Sequence, residues 1–216
     1  MKPKRSNDFD VRVAVVRQLL AEGVPRRDIR HEITLDTYSS AGRCDLAVLR
    51  DTHIIGIEIK SGKDKVDRLK EQCKAMHRCF DYICVVLDTR LEEKLGHSFW
   101  AAEPYWYHHE SSGFVSYSWM HKGWIDQPNP CLTTETRAWR SSRANTADMA
   151  ALLWKEEACP ISGSRTRTAA LAWVRENMAL KDLRPRVIEA LRTRCPNRWE
   201  EAFWRDFDAA QQEAAE

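Results

Sequence analysis

Two short apolar runs joined by a tight turn constrain the fold of this chain more than any other feature. Residues 43–50 read RCDLAVLR, residues 51–53 form the turn, and residues 54–60 read IIGIEIK. Alternate side chains of a strand share a face, so the second run places Glu58 and Lys60 on one side and three isoleucines on the other. Burying charges on a strand is costly unless they are paired or bind a metal. The runs therefore predict a β-hairpin that brings Asp45, Glu58 and Lys60 together at a chemical site.

The three charged residues of this hairpin are of the types that phosphodiester hydrolysis requires. Carboxylates such as those of Asp45 and Glu58 are suitable ligands for Mg²⁺ or Mn²⁺. Lys60 beside them would orient the attacking water or stabilise the negative charge of the transition state. The structural alternative is a surface strand whose Glu58 and Lys60 point into solvent. The isoleucine-rich flanks, the open space expected at Gly56 and Asp45 on the adjacent strand favour the site.

The spacing Asp45-x12-Glu58-x-Lys60 resembles the motif of the PD-(D/E)xK nuclease superfamily. The segments GRCDLAVL, GIEIKSGKD, DRLKEQC and FDYICVVLD are similar to those of small bacterial and phage proteins related to the MmcB-type DNA-repair endonucleases. The resemblance covers roughly residues 30–90, with a weaker match in residues 152–157. It implies a restriction-endonuclease-like core in the order α-β-β-β-α-β, with a mixed central sheet flanked by helices. It also implies that the backbone carbonyl of Ile59 is a third ligand of a Mg²⁺ or Mn²⁺ ion.

Two further residues are candidates for this site because of their positions in related nucleases. Glu32 lies at the first predicted strand, where relatives often carry an extra acid near the metal. It could act in catalysis as a metal ligand, holding a water or a second cation; the alternative is a simple partner for Arg30 or Arg43. Gln72 occupies the place of a helix glutamine that reaches the site in some relatives. The tyrosine that often follows it four residues later is Met76 here.

Basic and polar residues around the predicted site are candidates for binding nucleic acid, because lysine and arginine neutralise backbone phosphates. Ser61 and Lys63 could bind phosphate or simply shape the turn, and Asp64 is either a helix cap or a functional acid. The predicted nucleic-acid-binding set is Arg43, Ser61, Lys63, Lys65, Arg68 and Gln72. A second basic region, residues 165–194, could bind phosphates or form a solvated helix surface.

Hydrophobic periodicity predicts the elements that surround the hairpin, and their order indicates an α/β fold. Apolar residues between Phe9 and Leu20 recur at helical spacing, and residues 29–35 form a first strand. Asp64 could cap a helix that extends to about Cys79. The buried stripe predicted for this helix is Val66, Leu69, Cys73 and Met76. Residues 82–87 are nearly all apolar, as in a strand covered on both faces.

The chain divides into three predicted regions: the nuclease core at 1–95, an aromatic-rich extension at 96–145, and an all-helical C-terminal region at 146–216. Alternation in residues 114–119 predicts a hairpin over about 105–119, followed by a long connection. Helices are predicted over residues 146–157, 164–178, 183–194 and 199–214. Trp154 and Trp173 fall on apolar stripes and are expected in the core. Less easily placed, and candidates for base stacking near the site, are Trp100, Trp106, Trp119 and Trp124.

Composition favours a globular protein of the cytoplasm. The 216 residues are 43% apolar and 31% charged, as is usual for globular domains. No apolar run approaches the roughly 20 residues that span a membrane, and the basic Met1–Arg5 segment is not followed by the apolar region of a secretory signal. Seven cysteines without close pairing fit free thiols in a reducing cytosol. A rival zinc site would use His108, His109, His121 and Cys131, although their spacing matches no compact motif.

Two functional hypotheses of different class follow. The first is a metal-dependent endonuclease that acts on DNA in repair, recombination, or phage or defence processes. No helix-turn-helix signature is apparent, so we expect structure rather than sequence preference. The second is a catalytically silent nuclease-fold module that binds DNA or a protein partner. The active-site chemistry does not by itself select DNA over RNA, and a homodimer is compatible with cutting both strands.

Overall fold

The computed structural model describes residues 8–37, 40–88, 106–111, 114–119 and 144–213 of the chain. Within these ranges the chain forms six strands and seven α-helices. The strands are β1 (Ile29–Thr37), β2 (Ser40–Leu49), β3 (Ile54–Lys60), β4 (Tyr82–Asp88), β5 (Trp106–Ser111) and β6 (Phe114–Trp119). The helices are α1 (Asp8–Ala21), α2 (Leu69–Cys79), α3 (Thr146–Ala150), α4 (Lys155–Ser162), α5 (Arg167–Asn177), α6 (Leu180–Thr193) and α7 (Arg198–Glu213).

The six strands form one mixed sheet in the order β1-β2-β3-β4-β6-β5. Strands β1, β2 and β3 pair antiparallel, whereas β3 and β4 pair parallel and are joined by the crossover helix α2, because a parallel connection must return along the sheet. The predicted hairpin over about 105–119 is present as β5 and β6, and β6 extends the sheet by pairing with β4. The predicted α/β class, the mixed sheet and the helical C-terminal region are confirmed.

Each face of the sheet is covered by a hydrophobic core, and the alternation of β3 divides its side chains between them. Ile55, Ile57 and Ile59 pack with α1 and with Phe203 and Phe207 of α7. The other core contains side chains of the sheet, of α2 and of helices α3 to α6. Of the stripe predicted for α2, Leu69, Cys73 and Met76 are buried and Val66 is half-buried. The core of the C-terminal helices is therefore continuous with that of the sheet.

Buried ion pairs fasten the C-terminal helices to the strands. Arg184 of α6 meets Asp81 at 2.7 Å from its Nη2 to Oδ1, and Asp81 also accepts the backbone N–H of Ile54 at 3.0 Å. On the other face, the Arg30 guanidinium of β1 lies 3.2 Å from the Glu200 carboxylate of α7. Since charges are costly to bury without partners, each pair holds its helix in one position on the sheet.

The structure corrects the predicted start of the second helix. Helix α2 begins at Leu69 rather than at Asp64. The Asp64 carboxylate instead accepts the backbone N–H and the hydroxyl of Ser61, each at 2.7 Å. This side chain therefore closes the turn after β3 and leaves the residues before Leu69 outside the helix.

The single helix predicted over residues 146–157 is also wrong, since the chain turns between α3 and α4. The carbonyls of Ala151 and Leu153 accept hydrogen bonds from Arg167 at 2.7 and 2.9 Å. The Leu152 carbonyl accepts from Arg194 at 3.0 Å. These carbonyls are satisfied by side chains from later helices, so the helical hydrogen bonds are not needed there.

Two expectations about packing are also wrong. Gly56 does not open space at the site, because a Cβ there would collide with the ring of Phe80 and lie 2.9 Å from the Met76 methyl carbon. Trp154 and Trp173 were expected in the core, yet they are 48% and 39% exposed. Both rings are therefore at the surface of the C-terminal helices, and the Arg194 guanidinium lies over the Trp154 ring, 3.9 Å from its centroid.

Some predictions concern residues outside the described ranges. Trp100, Trp124, His121 and Cys131 lie there, as does nearly all of the predicted connection. The six cysteines in the described part of the chain are not in disulfides. No helix in that part is both long and apolar enough to cross a membrane.

Candidate active site

The candidate site lies where the β2–β3 ladder ends. The paired residues extend from Leu49–Ile54 to Leu46–Ile57, so Asp45 and Glu58 are the first residues beyond the ladder. The Asp45 carboxylate accepts the backbone N–H of Ile59 through Oδ2 at 2.7 Å. This bond holds the acid of one strand against the backbone of the other, as the hairpin prediction requires.

Glu58 is the most buried acid of the site, with 1% of its surface exposed. Its Oε1 accepts the Lys60 ammonium at 2.5 Å and the Gln72 amide from α2 at 2.5 Å. Its Oε2 is buried and has no hydrogen-bond partner within the described part of the chain. Burying a carboxylate oxygen without a partner destabilises the folded protein. A cation or a hydrogen-bond donor that binds this oxygen would remove that cost.

Burial and mutual repulsion shift the ionisation of the two acids upward. Burial first, and then the negative charge of Asp45, raise the pKa of Glu58 to about 8. Burial also raises the pKa of Asp45 to about 6, although Arg12 and the Ile59 amide oppose the shift. Burial disfavours the Lys60 ammonium, but the charges of Glu58 and Asp45 outweigh it and raise the pKa of Lys60. A divalent cation between the carboxylates would restore their charged forms.

Arg12 is a site residue that the sequence analysis missed. This buried arginine of α1 donates to the Asp45 backbone carbonyl at 2.9 Å and to the Glu32 carboxylate at 2.8 Å. Its Nε also donates to Asp8 at 3.1 Å. A sequence signal existed, because positions 12, 16 and 19 lie on one helix face, and Val16 and Leu19 on that face are apolar. An arginine on an otherwise apolar stripe indicates a buried acidic partner.

Glu32 lies in the site through an unusual backbone conformation. Its φ of 56° is in the left-handed region, which a residue with a side chain rarely adopts without compensation. Its Oε1 accepts from Arg12, and its Oε2 forms an ion pair with Arg43. The alternative considered from sequence, a partner for Arg43, is therefore present, whereas Arg30 pairs with Glu200.

A cavity of about 930 Å³ opens over these groups. Its lining includes the central residues of the site, which are Arg12, Glu32, Asp45, Glu58, Ile59 and Lys60. It also includes four members of the predicted nucleic-acid-binding set: Arg43, Lys65, Arg68 and Gln72. The other two do not line it. Ser61 is buried and hydrogen-bonded to Asp64, and the Lys63 backbone N–H donates to the Ser61 hydroxyl at 3.4 Å. Both residues therefore belong to the turn after β3, and the Lys63 side chain is exposed.

Helix α7 forms another wall of the cavity, which the sequence analysis did not predict. Trp199, Ala202, Phe203 and Asp206 all line it. The helix is held by ring contacts to His31, whose centroid lies 4.4 Å from that of Phe203. Burial and the nearby guanidinium groups lower the pKa of His31 to about 3, so a neutral ring packs against the helix. No local sequence signal connects a C-terminal helix with a site built on β2 and β3.

The donor set fits a hard divalent cation with few protein ligands. The cavity is lined by the carboxylates of Asp45 and Glu58 and by the neighbouring residue Ile59. Glu58 Oε2 has no hydrogen-bond partner in the part of the chain that the structure describes. Mg²⁺ typically uses one or two carboxylates and keeps several waters. In the described residues no group of three or more acidic, histidine or cysteine side chains is arranged to hold a metal. For the rival zinc site, the structure describes only the strand positions of His108 and His109.

Comparison with known protein families shows a similarity over the N-terminal part of the chain. Residues 1–97 match the family model described as bacteriophage P4 protein cII. The matched part contains α1 to β4 and every predicted site residue, whereas α7 lies outside it. No curated protein and no solved structure matches the chain significantly.

Proposed function

We propose that this chain is a Mg²⁺- or Mn²⁺-dependent nuclease of the PD-(D/E)xK type that hydrolyses phosphodiester bonds in DNA. The observation that carries the proposal is the convergence of Asp45, Glu58 and Lys60 in one cavity, with a Glu58 oxygen that has no hydrogen-bond partner among the described residues. The element order of residues 8–88 supports a restriction-endonuclease-like core. Five basic and six acidic side chains line the cavity. The exposed basic ones, Arg43, Lys65 and Arg68, support a polyanionic substrate once a cation offsets the acids.

The residues of the site have separate roles in the proposed hydrolysis. Asp45 and Glu58 would hold the cation, with the Ile59 carbonyl as a third ligand. A bound Mg²⁺ or Mn²⁺ supplies Lewis-acid polarisation of the phosphoryl group and lowers the pKa of water. Lys60 orients the attacking water or stabilises the charge that develops on the phosphate. Gln72 fixes the Glu58 carboxylate from α2, at 2.5 Å.

Arg12 has a positioning role in this proposal. It holds the Asp45 backbone and the Glu32 carboxylate from the α1 side. Glu32 is thereby directed to the cavity, where it could bind a water or a second cation. Arg43, Lys65 and Arg68 at the cavity would neutralise phosphates on either side of the scissile bond.

The second candidate is a silent nuclease-fold module that binds DNA or a protein partner, and one observation favours it. Glu32 is paired with Arg12 and Arg43, and Glu58 is paired with Lys60. Arg12 also pairs with Asp8 and lies 3.6 Å from Asp45. Three cations thus accompany four acids, and most of the negative charge is balanced without a metal. Such a balance is typical of an ion-pair network that serves structure alone.

The two candidates are separated by cleavage of labelled single-stranded, duplex, nicked, flap and four-way DNA, and of RNA. Each substrate is incubated with Mg²⁺, Mn²⁺ or EDTA, with wild type, Asp45→Ala and Lys60→Ala, and with Lys74→Ala as the matched control, because Lys74 is an exposed lysine that does not line the cavity. We expect metal-dependent cutting that is lost in both site variants and kept in the control. Binding without cutting in either metal would instead support the silent module.

We also propose a biological process, a cellular location and a partner for this activity. The similarity of residues 1–97 to a phage protein family supports a phage process, beside repair, recombination or defence. We place the protein in the cytoplasm, where the free thiols of the described cysteines are stable. A homodimer or a partner protein would supply the second site for double-strand cutting.

A further inference from the structure

A second cavity, of about 630 Å³, adjoins the candidate active site. The two cavities share Glu32, Arg43 and Trp199 in their linings. The second one lies between β1, the turn before α4 and the segment that leads into α7. A ligand that extends beyond the first cavity can therefore continue into the second past Arg43.

Two exposed tryptophans line this second cavity. Trp154 is 48% exposed and Trp199 is 54% exposed. The Arg194 guanidinium covers one face of the Trp154 ring at 3.9 Å from its centroid, and Arg198 lies 4.9 Å from the centroid of Trp199. Large exposed apolar side chains in a concave surface mark binding sites. A flat ring supported by arginine on one side can stack a planar ligand on the other.

The charge of the second cavity is mainly positive. Six basic residues and two acidic ones line it: Arg30, Arg43, Lys155, Arg167, Arg194 and Arg198 against Glu32 and Glu156. Arg194 is paired with Glu157, and Arg30 with Glu200. Lys155 and Arg198 are exposed and can reach a ligand. Flat apolar rings and exposed cations together match a chain of bases joined by phosphates.

We propose that the second cavity binds a nucleic-acid strand with unpaired bases and leads it into the candidate active site. Bases stack on Trp154 and Trp199, while Lys155 and Arg198 bind phosphates. The bases of a duplex are already stacked and paired, so a base can lie on these rings only from a single strand, a flap or a frayed end. The inference rests on the proposed function, since it names the form of the substrate of that same site.

Binding is tested in EDTA, so that cleavage does not contribute. Fluorescence anisotropy measures the affinity of labelled oligo-dT, oligo-U and a blunt duplex for wild type, Trp154→Ala and Trp199→Ala. Each substitution is expected to weaken single-strand binding by about 5- to 150-fold, the range of one stacked base. Trp173→Ala is the matched control, because this tryptophan is also exposed but lines neither cavity; it should change affinity less than about twofold.

Further variants keep the test independent of folding and of catalysis. Trp154→Phe retains a stacking ring and should recover most of the affinity that Trp154→Ala loses. Lys155→Ala and Arg198→Ala should each reduce the slope of log affinity against log salt by about one. The tighter of oligo-dT and oligo-U identifies the strand chemistry.

The outcomes separate this inference from the proposed function. If Trp173→Ala binds single strands as wild type does and both Trp154→Ala and Trp199→Ala bind them more weakly, the inference holds even when nothing is cut. If both tryptophan variants bind single strands as wild type does, or wild type prefers the blunt duplex, the inference is overturned even when the protein cleaves DNA with Mg²⁺.

Discussion

The surroundings of the Glu58 carboxyl disfavour its ionisation, but they also place the ionised carboxylate where it could bind a cation. Burial raises its pKa to about 8, while Lys60 and Gln72 hold one of its oxygens. Without a cation, the folded protein is more stable when Glu58 is protonated than when it is ionised. With a cation, the ionised carboxylate becomes a ligand. One residue therefore couples the pH, the metal and the stability of this region.

Glu58→Gln should change the pH dependence of stability in EDTA. Because the pKa of Glu58 in the folded protein is raised to about 8, above that of an unfolded chain, its stabilising contribution is complete below about pH 4 and is lost as the pH rises toward 8. Wild type should lose up to about 1.4 kcal/mol per pH unit through this group, and the amide should remove that slope.

Urea denaturation between pH 5 and 8 measures this difference. Glu71→Gln serves as the control, because the Glu71 side chain is 71% exposed and should leave the slope of wild type unchanged. Equal slopes in wild type and Glu58→Gln would show that Glu58 ionises as an ordinary surface acid.

At the scale of elements, hydrophobic periodicity correctly predicted the strands and helices whose positions depend on residues close in sequence. The β2–β3 hairpin follows from a period of two, and the buried stripe of α2 follows from helical spacing. The break between α3 and α4 could not be predicted in this way, because the carbonyls of Ala151 and Leu153 are satisfied by Arg167, and that of Leu152 by Arg194. The Asp45, Glu58 and Lys60 set was predictable from alternation, whereas the α7 wall depends on contacts between distant parts of the sequence.

Gly56→Ala tests how closely α2 and the following loop pack on β3. A Cβ at this position would collide with Phe80 and Met76, so we expect a loss of about 1–3 kcal/mol in the free energy of unfolding. Gly42→Ala is the matched control, since a Cβ there meets nothing within 4 Å. Thermal or urea denaturation of both variants makes the comparison, and equal stability would mean that the Phe80 ring can move aside.

At the scale of the whole molecule, the sheet and the C-terminal helices share a core and buried ion pairs. The Asp81–Arg184 pair joins the start of β4 to α6, and both side chains are less than one-tenth exposed. Asp81 also receives the backbone N–H of Ile54 at the start of β3. The C-terminal region is therefore part of what keeps β3 and β4 in place beneath the site.

Arg184→Met should destabilise the entire fold in one step. Removing the guanidinium leaves the Asp81 carboxylate buried without its cation, which costs about 3–5 kcal/mol. The matched control is Arg186→Met on the exposed side of the same helix. Circular dichroism of the helices and tryptophan fluorescence, followed together in urea, should report the same transition; two separate transitions would mean that the helices unfold independently of the sheet.

The wall that α7 adds to the cavity has a consequence during protein synthesis. A ribosome joins Asp45, Glu58 and Lys60 to the chain long before it reaches Trp199 and Phe203, which close the cavity from the other side. A growing chain thus carries all of its candidate catalytic side chains while the enclosure around them is still missing. Only after translation of α7 can the complete cavity form, so its assembly is delayed until late in the making of the chain.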